Sequence, residues 1–188
     1  MATITGNTDQ DVELMYPALR LPVTVGPALR ASKWRGGLCV MYIQSTEGDF
    51  VVEVSDGSKV AGFLLFPSER YFPLIGDYGP NYGSNANWTS MQPAHGVGGQ
   101  NVVTMISDNS RAFFKVFETI ALAGGARGGG PITYAVNDIV RVSENGLLCN
   151  DSVAQLQAAG VATPVDVGIV SAAPATRNGN RLGVDTKF

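Results

Sequence analysis

The sequence predicts a mainly β protein: a compact β-barrel or β-sandwich with one short helix, extended N- and C-terminal arms and a long glycine-rich loop. Three observations lead there. The apolar runs are short and rich in Val, Ile, Phe and Tyr, residues that fit a pleated surface. Turn dipeptides such as Asp56-Gly57 and Asn145-Gly146 separate them. Of 188 residues, 45% are hydrophobic, 15% are charged and 23 are glycine, where soluble domains average about 25% charged. That apolar fraction is enough for a core and excludes disorder. The low charge leaves a surface of neutral polar and backbone groups, which suits a protein packed against other proteins.

Residues 1–37 read as an N-terminal arm. Asp9, Asp11 and Glu13 form an acidic block, and Arg20, Arg30, Lys33 and Arg35 form a basic one with Trp34 between them. Pro17, Pro22 and Pro27 bias the chain toward extended geometry. Such a segment suits either a partner's surface or an edge strand on its own domain, and both readings stand at this point.

The body spans 38–171. Runs 38–44 and 50–54 form a hairpin across Ser45-Thr46-Glu47-Gly48-Asp49, and 60–66 follows the Asp56-Gly57 turn. Residues 73–101 are a long contact loop, with Gly76, Gly79, Gly83, Gly96, Gly98 and Gly99, three prolines and Asp77 as the one formal charge. The loop displays Tyr78, Tyr82 and Trp88, rings that give much contact area for little lost freedom. Runs 102–106, 111–122 and 132–142 are β-compatible. Apolar residues on both faces make 111–122 a central strand, with a helix from Ser110 as the alternative. The glycine-rich 124–131 reads as a flexible connection, because it lacks the Lys-Ser/Thr of a phosphate-cradling loop. Asn145-Gly146 marks a tight primed hairpin between 138–143 and 147–149. Asp151 or Ser152 caps a helix over 153–159 that Gly160 stops. A last strand covers 165–171, and 172–188, carrying Arg177, Arg181 and Lys187, reads as a C-terminal arm.

Little in the inventory supports catalysis. His95 is the one histidine, in a loop without a nucleophile context. Cys39 and Cys149 lie in apolar runs and read as buried residues, with neither metal-ligand nor disulfide spacing. Asp9, Asp11 and Glu13 alternate like calcium ligands but lack the glycine and closing Glu of that loop. The expectation is therefore a non-enzyme without catalytic, cofactor or metal residues. Thirteen basic against sixteen acidic residues give a net charge of −3, which argues against direct nucleic-acid binding. No stretch is long and apolar enough for a membrane span. Met1–Gly6 lacks the basic and apolar regions of a secretory signal, so synthesis in a cytosol is expected.

The C-terminal third carries a resemblance. Residues 137–149, reading Asn-Asp-Ile-Val-Arg-Val-Ser-Glu-Asn-Gly-Leu-Leu-Cys, and 167–171, Val-Gly-Ile-Val-Ser, followed by 181–184, Arg-Leu-Gly-Val, resemble the capsid decoration (cement) proteins of tailed bacteriophages. The likeness covers roughly 131–188 and rests on hairpin and short-strand grammar. The aromatic loop and the proline-spaced arm are additions that the simplest members do not need. What the resemblance implies is a β-rich body without an active site. It would sit on the outer capsid surface of the virion, often as a homo-oligomer (dimer or trimer), and clamp subunits of the major capsid protein in the expanded lattice. The residues expected to touch that partner are Arg20, Arg30, Lys33, Trp34, Arg35, Tyr78, Tyr82 and Trp88. The alternative is another β-rich virion component, a tail or adhesin module binding host carbohydrate through the Tyr/Trp loop.

Overall fold

The computed structural model describes residues 11–15, 19–30, 32, 34–45, 48–65 and 102–188, with the backbone alone at Arg30 and Val102. The fold is mainly β: two antiparallel sheets packed face to face like a sandwich, with a two-stranded ribbon beside them. The larger sheet has six strands in the order β1 (Val12–Leu14), β7 (Arg111–Phe114), β13 (Leu182–Thr186), β12 (Asp166–Ala172), β10 (Ile139–Val142) and β11 (Leu148–Cys149). The second has five, in the order β2 (Arg20–Thr24), β6 (Val102–Ile106), β5 (Gly62–Leu64), β3 (Cys39–Gln44) and β4 (Phe50–Val54). It does not close into a barrel, but it curls until its edges meet at one parallel bridge, Val25 to Val52, where Gly26 N–H donates to Val52 O at 2.8 Å.

Period-two alternation divides the apolar residues between two cores. Between the sheets, Val12, Ala112, Phe114, Val140, Val142, Val170, Leu182 and Val184 meet Cys39, Phe63 and Ile106. Phe63 and Phe114 pack edge to face with centroids 5.0 Å apart. The other face of the curled sheet wraps Val23, Val25, Val40, Val52, Leu64, Val103 and Met105 around Leu29, Trp34 and Leu38. Leu29 comes from a single helical turn, α1 (Pro27–Arg30), whose first free amides, Ala28 and Leu29, donate to the Glu53 carboxylate at 2.9 and 2.7 Å. A Cβ at Gly26 would stand 2.2 Å from Glu53 Oε1, so a side chain there would push the Glu53 carboxylate off its capping position.

Several expectations hold. β3 and β4 form the expected hairpin, in register from Val40↔Val54 to Gln44↔Phe50. The helix α2 (Val153–Ala158) has Ser152 as N-cap, with a reciprocal bond from Ser152 N–H to Gln155 Oε1 at 2.9 Å, and Gly160 follows at φ +98°. The 10–11 hairpin forms with a different turn. Gly146 N–H donates to Ser143 O and Ser143 N–H to Leu147 O, and Gly146 has φ +74° while Asn145 keeps a negative φ. This is a three-residue loop ending in a left-handed glycine, not the two-residue primed turn.

The arm readings are corrected. Within 1–37, β1 joins the larger sheet and β2 the smaller, so the edge-strand reading is the one realised. The segment 172–188 supplies β13, which lies between β7 and β12, and Phe188 packs on Phe63 at 5.7 Å. Residues 111–122 are neither one strand nor a helix. After Phe114 the chain leaves the sheet, Glu118 N–H donates to Leu148 O, and β8 (Ile120–Ala123) begins. The presumed linker becomes β9 (Ala126–Pro131), turned back onto β8 by Gly124 and Gly125 at φ +60° and +84°. Two consecutive positive φ values make this the primed two-residue turn that right-handed strand twist favours. Only 139–142 of the run 132–142 is strand, and 165–171, as β12, is not the last strand. The contact loop 73–101 lies outside the described residues.

Candidate interaction surface

Asp11, Glu13 and Arg35 of the N-terminal segment close on the chain's own body. Arg35 grips Asp11 with two bonds, Nε to Oδ2 at 2.8 Å and Nη2 to Oδ1 at 2.5 Å, and Gly36 N–H donates to the same carboxylate at 3.0 Å. Burial pushes the Asp11 carboxyl up, but these bonds and the Arg35 and Lys115 charges outweigh it and hold the group below its ordinary range. Glu13 pairs with Arg181 across the sheet. The calcium-like alternation is therefore divided between two arginines, with Asp9 outside the described residues.

This changes the expected partner-binding set. Arg20 stays exposed on β2. Arg30 ends α1. Trp34, expected to face a partner, is 4% exposed and belongs to the second core with Leu29 and Leu38. Arg35 is tied to Asp11. Lys33, Tyr78, Tyr82, Trp88 and His95 lie outside the described residues.

Several titratable groups of the C-terminal half hold segments together. Arg127 on β9 donates to both oxygens of Glu144 at 3.0 Å, to Asp151 Oδ2 at 2.5 Å and to Ile120 O at 2.9 Å, with Glu118 Oε2 at 3.7 Å. Burial alone would lower the Arg127 pKa, but its hydrogen bonds to Glu144 and Asp151 raise it. Tyr134 O–H donates to Glu118 O at 2.6 Å, and burial raises that phenol's pKa. Cys39 and Cys149 are buried free thiols; burial raises Cys39 and pushes Cys149 up to about 12. Neither is poised as a nucleophile at neutral pH.

Two surface features emerge that local sequence does not signal. The first is aliphatic. Ile120, Val136, Ile139 and Val153 are between 41% and 57% exposed. Their segments converge on one short stretch: Asn150 Nδ2 donates to Thr133 O and Asp138 Oδ2 at 2.9 Å, and Leu122 N–H donates to Asp151 Oδ1 at 3.2 Å. The second is a groove of about 520 Å³ on the outer face of the larger sheet, lined by Glu13, Met15, Phe113, Lys115, Arg177, Asn178, Gly179 and Arg181. Glu13, Phe113 and Gly183 share one cross-strand row. The wall is a 3-10 turn (Thr176–Asn178), braced by Asn178 Nδ2 donating to Ala173 O and Asn178 Oδ1 accepting from Ala175 N–H. Arg177 and Arg181 stand out in the sequence only as tail charges; Phe113 and Lys115 carry no local signal, because pairing of β1, β7 and β13 creates the site.

Fold and surface thus define a β-sandwich-like body with exposed aliphatic side chains and a cationic groove, and among the described residues no helix is long and apolar enough to cross a membrane. Comparison with protein families, with curated proteins and with solved structures finds no match to this chain.

Proposed function

We propose that this chain is a virion structural protein, a decoration protein that binds the outer surface of a tailed-phage capsid as a homo-oligomer and clamps neighbouring subunits of the major capsid protein in the expanded lattice. The observation that carries the reading is the exposure of Ile120, Val136, Ile139 and Val153 on segments that Asn150, Asp151 and Arg127 tie together. A contiguous exposed apolar area of a few hundred Å² marks a contact surface, and the reading requires these four side chains to form one. At about 25 cal/mol per Å², a few hundred Å² of such contact gives roughly 5–10 kcal/mol, which the roughly 4–15 kcal/mol cost of association largely cancels. One contact is therefore weak, and an oligomer touching several subunits gains through effective concentration. A lattice that spaces those subunits correctly only after expansion would be bound only in that state.

The test is co-sedimentation with expanded empty heads assembled from the capsid protein of the same virus. Binding is expected, and Val136→Asp with Ile139→Asp is expected to weaken it at least tenfold while leaving the circular dichroism spectrum unchanged. Protein that stays in the supernatant with expanded heads overturns the reading. Glycan binding lost on Trp88→Ala would replace it with the adhesin alternative.

A further inference from the structure

We infer that the groove between β1, β7 and the 176–178 turn is a docking site for an acidic, extended peptide segment of the partner protein; this rests on the decoration reading and names the chemistry of the contact. Charge complementarity is the first argument. Lys115, Arg177 and Arg181 line the groove against one acid, Glu13, so it is locally cationic on a chain whose net charge is −3. Lys115 and Arg177 are exposed and form no ion pair among the described residues. Elsewhere on this sheet the guanidinium groups are matched to carboxylates, as Arg111 is to Asp185 and Arg141 to Asp166. The groove thus gathers two cations that no carboxylate pairs among the described residues, Lys115 and Arg177, beside Arg181.

Shape and floor supply the second argument. Phe113 and Met15 give an apolar base. Gly183, beside Phe113, keeps that base open, since a Cβ there would come within 2.9 Å of the Phe113 ring and of Ala172 Cβ. An acidic segment with alternating aliphatic residues meets both features, as extended peptides present alternate side chains to opposite sides. Glu13 acts as an internal placeholder. Its carboxylate already occupies Arg181, and an incoming carboxylate either displaces it or settles on Lys115 and Arg177.

The experiment uses the full chain and a fluorescent acetyl-Asp-Leu-Asp-Leu-Asp-Leu-amide probe, with Lys-Leu and Ser-Leu peptides of the same length, followed by anisotropy and amide chemical shifts. The acidic peptide is expected to bind, to weaken with added salt, and to shift the amides of Phe113, Gly179 and Gly183. Lys115→Ser with Arg177→Ser should weaken it about tenfold, and Glu13→Gln should tighten it about threefold, magnitudes set by exposed ion pairs. Equal binding of the Ser-Leu peptide, shifts mapping elsewhere, or indifference to the double substitution overturns the site. Parallel sedimentation separates the two readings. A double variant that decorates heads normally sinks the groove and leaves the capsid role standing. Peptide binding without head binding sinks the capsid role and leaves the groove.

Discussion

Replacing Arg127 by Met tests whether one side chain ties the C-terminal half together. Arg127 is 14% exposed and faces three carboxylates, of which Asp151 is 2% exposed. The four groups come from β9, the 10–11 turn, the segment before α2 and the link between β7 and β8. Met conserves much of the volume and removes the charge, so the loss is electrostatic. Breaking a buried pair by removing one partner costs about 3–5 kcal/mol, because the remaining charge stays buried and uncompensated. For a chain of this size each kcal/mol lowers the melting temperature by about 2–4 °C, so a fall of about 10 °C is expected. Thermal denaturation by circular dichroism reads the shift, and urea unfolding with an unchanged slope shows that the native state, not its compactness, was affected. Asp151→Asn is the control: it keeps an oxygen to accept from Leu122 N–H, and should cost only about 1–2 kcal/mol. An Arg127→Met protein melting within about 2 °C of wild type would refute the reasoning.

Other outcomes follow from the same geometry. Ending the chain after Ala172 removes β13 from between β7 and β12, so the truncated protein should lose its β spectrum altogether, whereas a dispensable tail would leave it intact. The depressed Asp11 carboxyl contributes stability that is present above its unfolded value of 3.8 and is lost as pH falls through and below it. The urea-unfolding gap between wild type and Arg35→Met should therefore close below about pH 4; a gap that widens there would contradict the assignment. Phe114→Ala, at a fully buried site against Phe63, should cost about 3–5 kcal/mol in urea unfolding. Both thiols should stay inert to an aromatic disulfide reagent at pH 8 until urea is added, since burial raises both pKa values.

What the sequence revealed depended on how local each cause was. The 3–4 hairpin, the Ser152–Gln155 cap and Gly160 are set by neighbours within a few residues, and they were readable. β9 was not, because Arg-Gly-Gly-Gly-Pro has linker composition; the adjoining Gly124-Gly125 pair was the missed signal, since it folds the segment back. β13 showed only as the short run 181–184 within the resemblance, its alternation of Leu182 and Val184 being two residues deep, and nothing local placed it between β7 and β12. The surface charges misled for a physical reason. Arg35 and Glu13 find partners 24 and 168 positions away, and nothing in a linear reading separates a charge held for a partner from one spent at home. Trp34 looked like an anchor for the same reason: its burial comes from the curl of a sheet whose strands run from Arg20 to Ile106.

The place of β13 has a consequence for biogenesis. The ribosome delivers β7 and β12 before the strand that joins them, so a nascent chain displays two bare strand edges flanking an empty slot. Such edges recruit strands from other molecules. Final closure joins segments far apart along the polypeptide, which makes the last step slow. High-level expression should therefore favour inclusion bodies, and slowed translation or a holdase chaperone should shift the yield toward native material.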